Sequence, residues 1–242
     1  MTLQRQVTRP LGLRERNKIE KLRRITDAAR TLFVAKGFDD TTTREIALRA
    51  GVGLGTIFVY AQNKRDLLFL IINDQLDAVT KTAQEAIDPA ASLIDNLLTV
   101  AKLHYRFFGE QPALSRLVLR EMVFYDSGAQ AGRFQSTRQH LIELFGRAVE
   151  VAKMQQGISC RESPSFVGWT VFCIFQVELR RWLSADELDL DAGLSTLERA
   201  MTLFIGGLQP TPKALKRRIA LMAVSDGRKP PKSTQRTARS SA

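Results

Sequence analysis

Between Thr41 and Leu68 the chain reads TTTREIALRAGVGLGTIFVYAQNKRDLL, a stretch whose hydroxyls, arginines and lysine suit contact with nucleic acid rather than bond making. Two short helical patterns are joined by Ala-Gly-Val-Gly, and a third begins at Asn63. That spacing is the layout of a helix-turn-helix DNA reader, in which the second helix of the pair enters the major groove.

A catalyst finds little elsewhere. His104 and His140 are the only histidines, and there is no Ser/His/Asp arrangement, no glycine-rich phosphate loop and no HExxH, so no catalytic residue is assigned. His104 has no partner at metal-ligand spacing, and neither do Cys160 and Cys173, so no metal and no cofactor are expected. The two thiols read as reduced in a cytoplasmic chain, with a redox-sensing pair as the alternative. No apolar run of 18 or more residues is present, which excludes a transmembrane helix, and the first residues lack the apolar core of a secretory signal.

The reader needs helices that start and stop in register. Thr42 suits an N-cap, with Glu45 closing a capping box, and the helix buries Ile46, Ala47 and Ala50 while Arg44, Glu45 and Arg49 face solvent. Gly51 ends it, and Gly53 is a weaker cap for a recognition helix that puts Ile57 in the core and turns Thr56, Phe58, Val59 and Tyr60 outward or sideways. Asn63 caps the next helix, with Asp66 at its third position, and Leu67, Leu68, Leu70, Ile71 and Leu76 carry an apolar face beyond a small domain. This helix reads as a connector, with its moving length from Lys64 to Ile87. Upstream, Ile19 to Lys36 forms the first helix, with Leu22, Ile25, Ala29, Leu32 and Phe33 on one face.

Over residues 19 to 70 the chain resembles the TetR family of bacterial transcriptional regulators. The carrying residues are Ala28 to Phe33, Gly37-Phe38, Thr41 to Ala47, Arg49 to Val52, Gly55 to Phe58, Tyr60, and Asn63 to Leu68. The resemblance implies that Thr42, Thr43 and Arg44 meet phosphate and a base edge, where the planar fork of arginine matches guanine. It also implies groove or phosphate contacts by Leu54, Gly55, Thr56, Phe58, Val59, Tyr60 and Lys64. Three positions depart from the pattern: Gly53 stands where serine is common, Leu54 replaces a polar groove residue, and Ala61 replaces an aromatic. Phe58 holds a place usually taken by tyrosine and offers no hydrogen bond. Binding then leans on Arg44, methyl contacts, DNA shape and the basic arms.

Charge points to the same partner. The net charge is +11, of which residues 1–18 carry +4 (five basic, one acidic) and residues 209–242 carry +8 (nine basic, one acidic). Residues 19–68 carry +3 and residues 69–208 carry −4, so the reading half is basic and the other half mildly acidic. The arm with Arg5, Arg9, Arg14, Arg16 and Lys18 is placed to follow phosphates or enter a minor groove, or else is a solvated tail. The tail after Val224 is too polar to bury a core, although Leu215, Ile219 and Met222 would line a short basic helix.

Residues 69 to 208 read as helices throughout, with no period-two alternation. The patterns run from Leu93 to Phe108 with a break at Gly109, Pro112 to about Tyr125, Ala131 to Met154, Ser165 to Leu183 and Ala192 to Ile205. The last two are apolar nearly all round, which requires burial on more than one side. The resemblance assigns that surface to a homodimer, in which they pair with their copies into a four-helix bundle. It also implies a small-molecule effector pocket, for which His104, Tyr105, Phe108, Glu121, Met122, Tyr125, Trp169, Phe172 and Gln176 are the candidate lining residues.

The expected fold is all-α: a basic arm (1–18), a three-helix DNA-binding domain with a helix-turn-helix (19–68), a helical ligand-binding and dimerisation domain (69–208) and a basic tail (209–242). The expected function is a dimeric transcriptional repressor of the bacterial cytoplasm and nucleoid, released from palindromic double-stranded DNA by an effector. A ligand-independent regulator or activator is the nearer alternative, and a helical interaction protein with nonspecific basic ends the more distant one.

Overall fold

Capping chemistry sets the first four helices of the computed structural model, which describes residues 12–155 and 160–207. These are α1 (Leu13–Lys36), α2 (Thr43–Ala50), α3 (Leu54–Tyr60) and α4 (Lys64–Glu85). The Thr42 hydroxyl accepts from Glu45 N at 3.2 Å, and Glu45 Oε2 accepts from Thr42 N at 2.8 Å, so the predicted capping box is formed. Gly51 ends α2 with φ 63° and ψ 41°, the left-handed conformation that glycine adopts without penalty. Gly53 opens α3 with no side-chain cap, and Asn63 Oδ1 opens α4 by accepting from Asp66 N at 2.9 Å. Ile25, Phe33, Ile46, Ile57, Leu67 and Leu68 close the core of this head, each at most 1 % exposed.

Helix α1 starts six residues before the expected Ile19. Its first turns, Leu13 to Glu20, are exposed, so apolar periodicity finds only the buried half, while LRERNK contains no breaker and continues the helix outward. Arg14, Arg16 and Lys18 therefore lie on a helix, and Arg5 and Arg9 lie outside the described residues.

The remaining helices are α5 (Leu93–Glu110), α6 (Pro112–Glu121), α7 (Ala131–Met154), α8 (Pro164–Leu183) and α9 (Leu190–Gly206). Two boundaries differ most from expectation, while α4 ends at Glu85 rather than Ile87 and α9 starts at Leu190 rather than Ala192. Helix α5 runs through Gly109, where a Cβ would stand 2.8 Å from the ring of Trp182, so this glycine admits a close approach rather than a break. Helix α6 stops at Glu121 because Met122 to Phe124 turn away and bring Tyr125 against α4. Helices α7 and α8 cross at two glycines: a Cβ on Gly168 would lie 2.5 Å from Gly146 N and 2.6 Å from its Cα, so no side chain fits there.

The head and the helices on its linker form one compact unit through Met201, and a second unit begins at Thr202, of which residues 202–207 are described. Among the described residues no helix is long and apolar enough to cross a membrane, and no cluster of three His, Cys, Asp or Glu is placed to hold a metal. The tail and its Leu215, Ile219 and Met222 lie outside the described residues.

Candidate DNA-reading face and core cavity

Helix α3 sets aside one residue, Ile57, for the core and gives the rest to its surface. Phe58 is 51 % and Val59 is 76 % exposed, Gly55 is open, and Leu54, Thr56 and Tyr60 are half-buried. The start of α2 lies beside it in sequence, with Thr42 and Arg44 exposed and Thr43 half-buried. Arg44 and Arg49 make no ion pair among the described residues, so both guanidiniums are free to bind. Two other cations of the head are already engaged. Arg24 caps the C-terminus of α2, its Nε donating to Ala50 O at 2.8 Å and its Nη2 to Gly51 O at 2.6 Å. Lys64 Nζ donates to Phe38 O and Asp39 O, each at 2.8 Å, and sits 4.7 Å from the centre of the Phe38 ring. The ammonium of Lys64 thus ties the α1–α2 turn to the start of α4. Thr42 likewise spends its hydroxyl on the capping box, leaving Thr43 and Arg44 as the uncommitted polar groups at the start of α2. The Lys36 ammonium and the Thr42 donors hold Glu45 down to about 2, so this carboxylate stays charged beside the face.

The linker begins on a buried carboxylate. Asp66 is fully buried and accepts from the Tyr125 hydroxyl, from Gln62 N at 2.8 Å and from Ala129 N at 2.9 Å. A Cβ at Gly128 would collide with this carboxylate, and Gly128 holds φ 132°, so glycine is needed there on both counts. Tyr125 stacks on Phe69 with ring centres 4.0 Å apart, and burial together with Asp66 pushes its phenol up. Around this lock, Arg65 Nε meets Glu121 Oε2 at 3.0 Å, Arg120 Nη1 meets Asp39 Oδ2 at 3.1 Å, Arg30 Nη1 donates to Gln111 Oε1 at 3.1 Å, and Gln130 Nε2 donates to Tyr60 O at 3.2 Å. Helix α6 and the connection after it are therefore tied to the head from several directions.

The candidate pocket residues divide. His104, Phe108, Met122, Phe172 and Gln176 line an inner cavity of 20 Å³ between α4, α5, α6, α7 and α8. Met122, Trp169, Phe172 and Gln176 also line an outer cavity of 310 Å³. Three of the nine line neither cavity. Tyr105 stacks on Trp182 at 4.9 Å, Glu121 is held by Arg65 and Arg120, and Tyr125 is spent on Asp66. In the inner wall, His104 Nδ1–H donates to Val100 O at 2.8 Å, Nε2 faces Thr80 Oγ1 at 3.3 Å, and burial lowers its pKa to about 4, so the ring is neutral. Among the lining residues not foreseen are Thr137, Gln135, Arg138 and Arg180. One signal for them was present: Phe134, Thr137/Arg138 and Leu141 recur at helical spacing on α7, so the arginine flanks a buried stripe.

Helices α2 and α3 have the layout of a helix-turn-helix, with a helical core on the linker α4. Residues 25–71 match the family described as bacterial regulatory proteins, tetR family. It is 29% identical over 90 residues to the fatty acid metabolism regulator protein of Bacillus subtilis, covering 37% of this chain and 46% of that one, so it spans about half the length of this relative. It is 28% identical over 188 residues to the transcriptional repressor KstR of Mycolicibacterium smegmatis, covering 77% of this chain and 88% of that one. In fold it is similar to the crystal structure of FadR from Bacillus subtilis in complex with stearoyl-CoA, with a TM-score of 0.63, 19% identity and coverage of 77% and 99% of the two chains.

Proposed function

We propose that this protein is a homodimeric transcriptional repressor of the bacterial cytoplasm that binds a palindromic operator through α2 and α3 and leaves it when a small molecule enters the core; it binds and does not catalyse. The observation that carries this reading is the surface of α3, where Phe58 and Val59 stand in solvent beside the free Arg44. Exposed apolar side chains on a short helix suit thymine methyl groups, and Arg44 is the direct reader of guanine. Thr43, Leu54, Gly55, Thr56 and Tyr60 complete the DNA surface at phosphate and groove edge, Thr42 contributes through its backbone at the start of α2, and Lys64 acts through the turn it holds.

One short reader does not give tight operator binding, and two related by a two-fold axis read both halves of a palindrome. Helix α8 offers the surface for pairing: Phe166 is 56 % and Val177 is 62 % exposed, and with Thr170 and Ile174 they form a stripe along one side. A similar repressor, KstR, and the acyl-CoA-bound FadR support the repressor and effector parts of the reading. The ligand acts by favouring one arrangement of the linker over another. Met122 lines the cavities and begins the turn that ends on Tyr125 and Asp66, so a ligand that displaces Met122 loosens the lock at the first turn of α4.

The test is genomic footprinting followed by binding of the recovered site. A palindrome is expected, and Arg44→Ala is expected to lose about 1–3 kcal/mol for that site while retaining nonspecific affinity. Equal binding of all DNA by both proteins overturns the reading.

A further inference from the structure

Arg138 on α7 and Arg180 on α8 share the wall of the outer cavity, and no carboxylate pairs with either among the described residues. Both are half-buried. The Arg138 guanidinium lies over Trp169 and Phe172, 5.4 and 5.1 Å from the ring centres, which holds it at the cavity wall. Arg180 spends one N–H on Gln176 O at 3.3 Å. Burial first, and the Arg138 charge second, lower its pKa. Like charges left together in a partly dry wall are a cost to the empty protein. Nearby, Gln176 is nine-tenths buried, lines both cavities, and its Oε1 has no hydrogen-bond partner among the described residues.

The two cavities share Met122, Arg138, Phe172 and Gln176 in their walls. The outer, at 310 Å³, is within the range of about 300–1,000 Å³ of small-molecule sites. The inner, at 20 Å³, has room for about one water and is walled mainly by apolar groups such as Leu76, Phe108, Leu141 and Phe175. Met122 and Phe172 line both, and Met122 is an unbranched, adaptable side chain. A ligand that spans both needs an acid at the arginines, a hydrogen-bonding group near Gln176, and an apolar end that opens the inner chamber.

We infer that the Arg138–Arg180 pair, with Gln176 behind it, is the seat of an anionic amphipath whose acid group lies between the two guanidiniums and whose apolar chain passes Met122 into the inner cavity. The inference rests on the effector reading above and names the class of molecule. The acid belongs either to a free carboxylate or to the phosphates of a conjugated carrier, and both meet the arginines in the same way.

Calorimetric titration of the full-length protein with sodium dodecanoate, dodecanoyl-CoA and 1-dodecanol separates the cases. At least one of the two anions is expected to bind about tenfold or more tightly than dodecanol. The tighter anion identifies the source of the acid. Arg138→Gln/Arg180→Gln is expected to abolish this preference while leaving dodecanol binding within about twofold, and Arg180→Lys to keep part of it. Dodecanol binding as tightly as the anions, a double variant that retains the preference, or no binding by any of the three overturns the seat. Should the double variant fail to fold, the parent's choice between dodecanoate and dodecanol and the Arg180→Lys measurement decide alone. A gel-shift assay with the footprinted operator is run alongside: an anion that binds through the arginines without weakening DNA binding leaves the seat standing and removes the effector-release reading.

Discussion

The head and the core each engage many of their cations, as Arg133, Arg181 and Arg116 show in the core, but they leave certain others in different surroundings. In the head, Arg24, Arg30, Lys36 and Lys64 are bound to carbonyls, a carboxamide or a carboxylate, and Arg44 and Arg49 are left free on an open surface where water solvates them. In the core, Arg138 and Arg180 are left without an acid in a half-buried wall where water does not fully reach them. A free cation costs little in the first setting and more in the second, so the same lack of a partner is ordinary on an open face and, in a cavity wall, supports the proposed anionic ligand.

Between the two regions stands Asp66, and its removal breaks the comparison most severely. Asp66→Ala leaves the Gln62 and Ala129 N–H groups and the Tyr125 hydroxyl without their acceptor. The expected loss is about 3–5 kcal/mol in urea unfolding. Tyr125→Phe removes one donor and keeps the ring on Phe69, so about 1 kcal/mol is expected. A loss below 1 kcal/mol for Asp66→Ala shows that the lock does not hold the head to the core.

Acid probes the core in its own way. His104 is neutral when folded, with a pKa of about 4 against 6.5 for the free side chain. Above pH 6.5 neither state holds the proton, and as pH falls from 6.5 towards 4 the unfolded chain takes it up first. This group therefore costs stability progressively over that window, reaching about 3 kcal/mol near pH 4. A His104→Gln protein is expected to show a flatter dependence of Tm on pH there. Parallel slopes for parent and variant refute the assignment.

Packing at the α7–α8 crossing gives the next effect. Gly168→Ala places a methyl group on the Gly146 backbone, and about 1–3 kcal/mol is expected from the forced separation of the helices. Gly132→Ala on α7, the helix that carries Gly146, meets open space and serves as the control, with no loss expected.

How far each region was legible in the sequence follows from the range of its interactions. The head is built from signals at short spacing: Thr42 with Glu45, Gly51 at the stop and Asn63 with Asp66 all act within four residues, and each formed as expected. The all-helical core was legible by period alone, and α7 and α8 fell within a residue of their expected limits. The failures involve partners distant in the chain. Gly109 read as a breaker because Trp182 lies 73 residues away; Tyr125 read as a pocket wall because Asp66 lies 59 residues upstream. Arg138 and Arg180 went unread because a charge on an amphipathic helix is by default a solvated one, and only the packing of α7 on α8 brings the two together.

Lys64 gives the finest test of the difference between spent and free cations. Its three carbonyl partners, Phe38 O, Asp39 O and Thr41 O, define it as a clamp for the turn before α2, whereas Arg44 has no partner among the described residues. Lys64→Met keeps the stem over the Phe38 ring and removes the ammonium, so about 1 kcal/mol of stability is expected to be lost. The salt dependence of DNA binding distinguishes the roles. A lysine on phosphate contributes about one unit to the slope of log K against log salt, and a clamp contributes none of its own. Lys64→Met is therefore expected to weaken binding while leaving the slope unchanged, and Arg49→Met to lower the slope by about one without loss of stability. A slope lowered by about one in Lys64→Met at parental stability returns Lys64 to the DNA surface and leaves the turn to be held by its backbone.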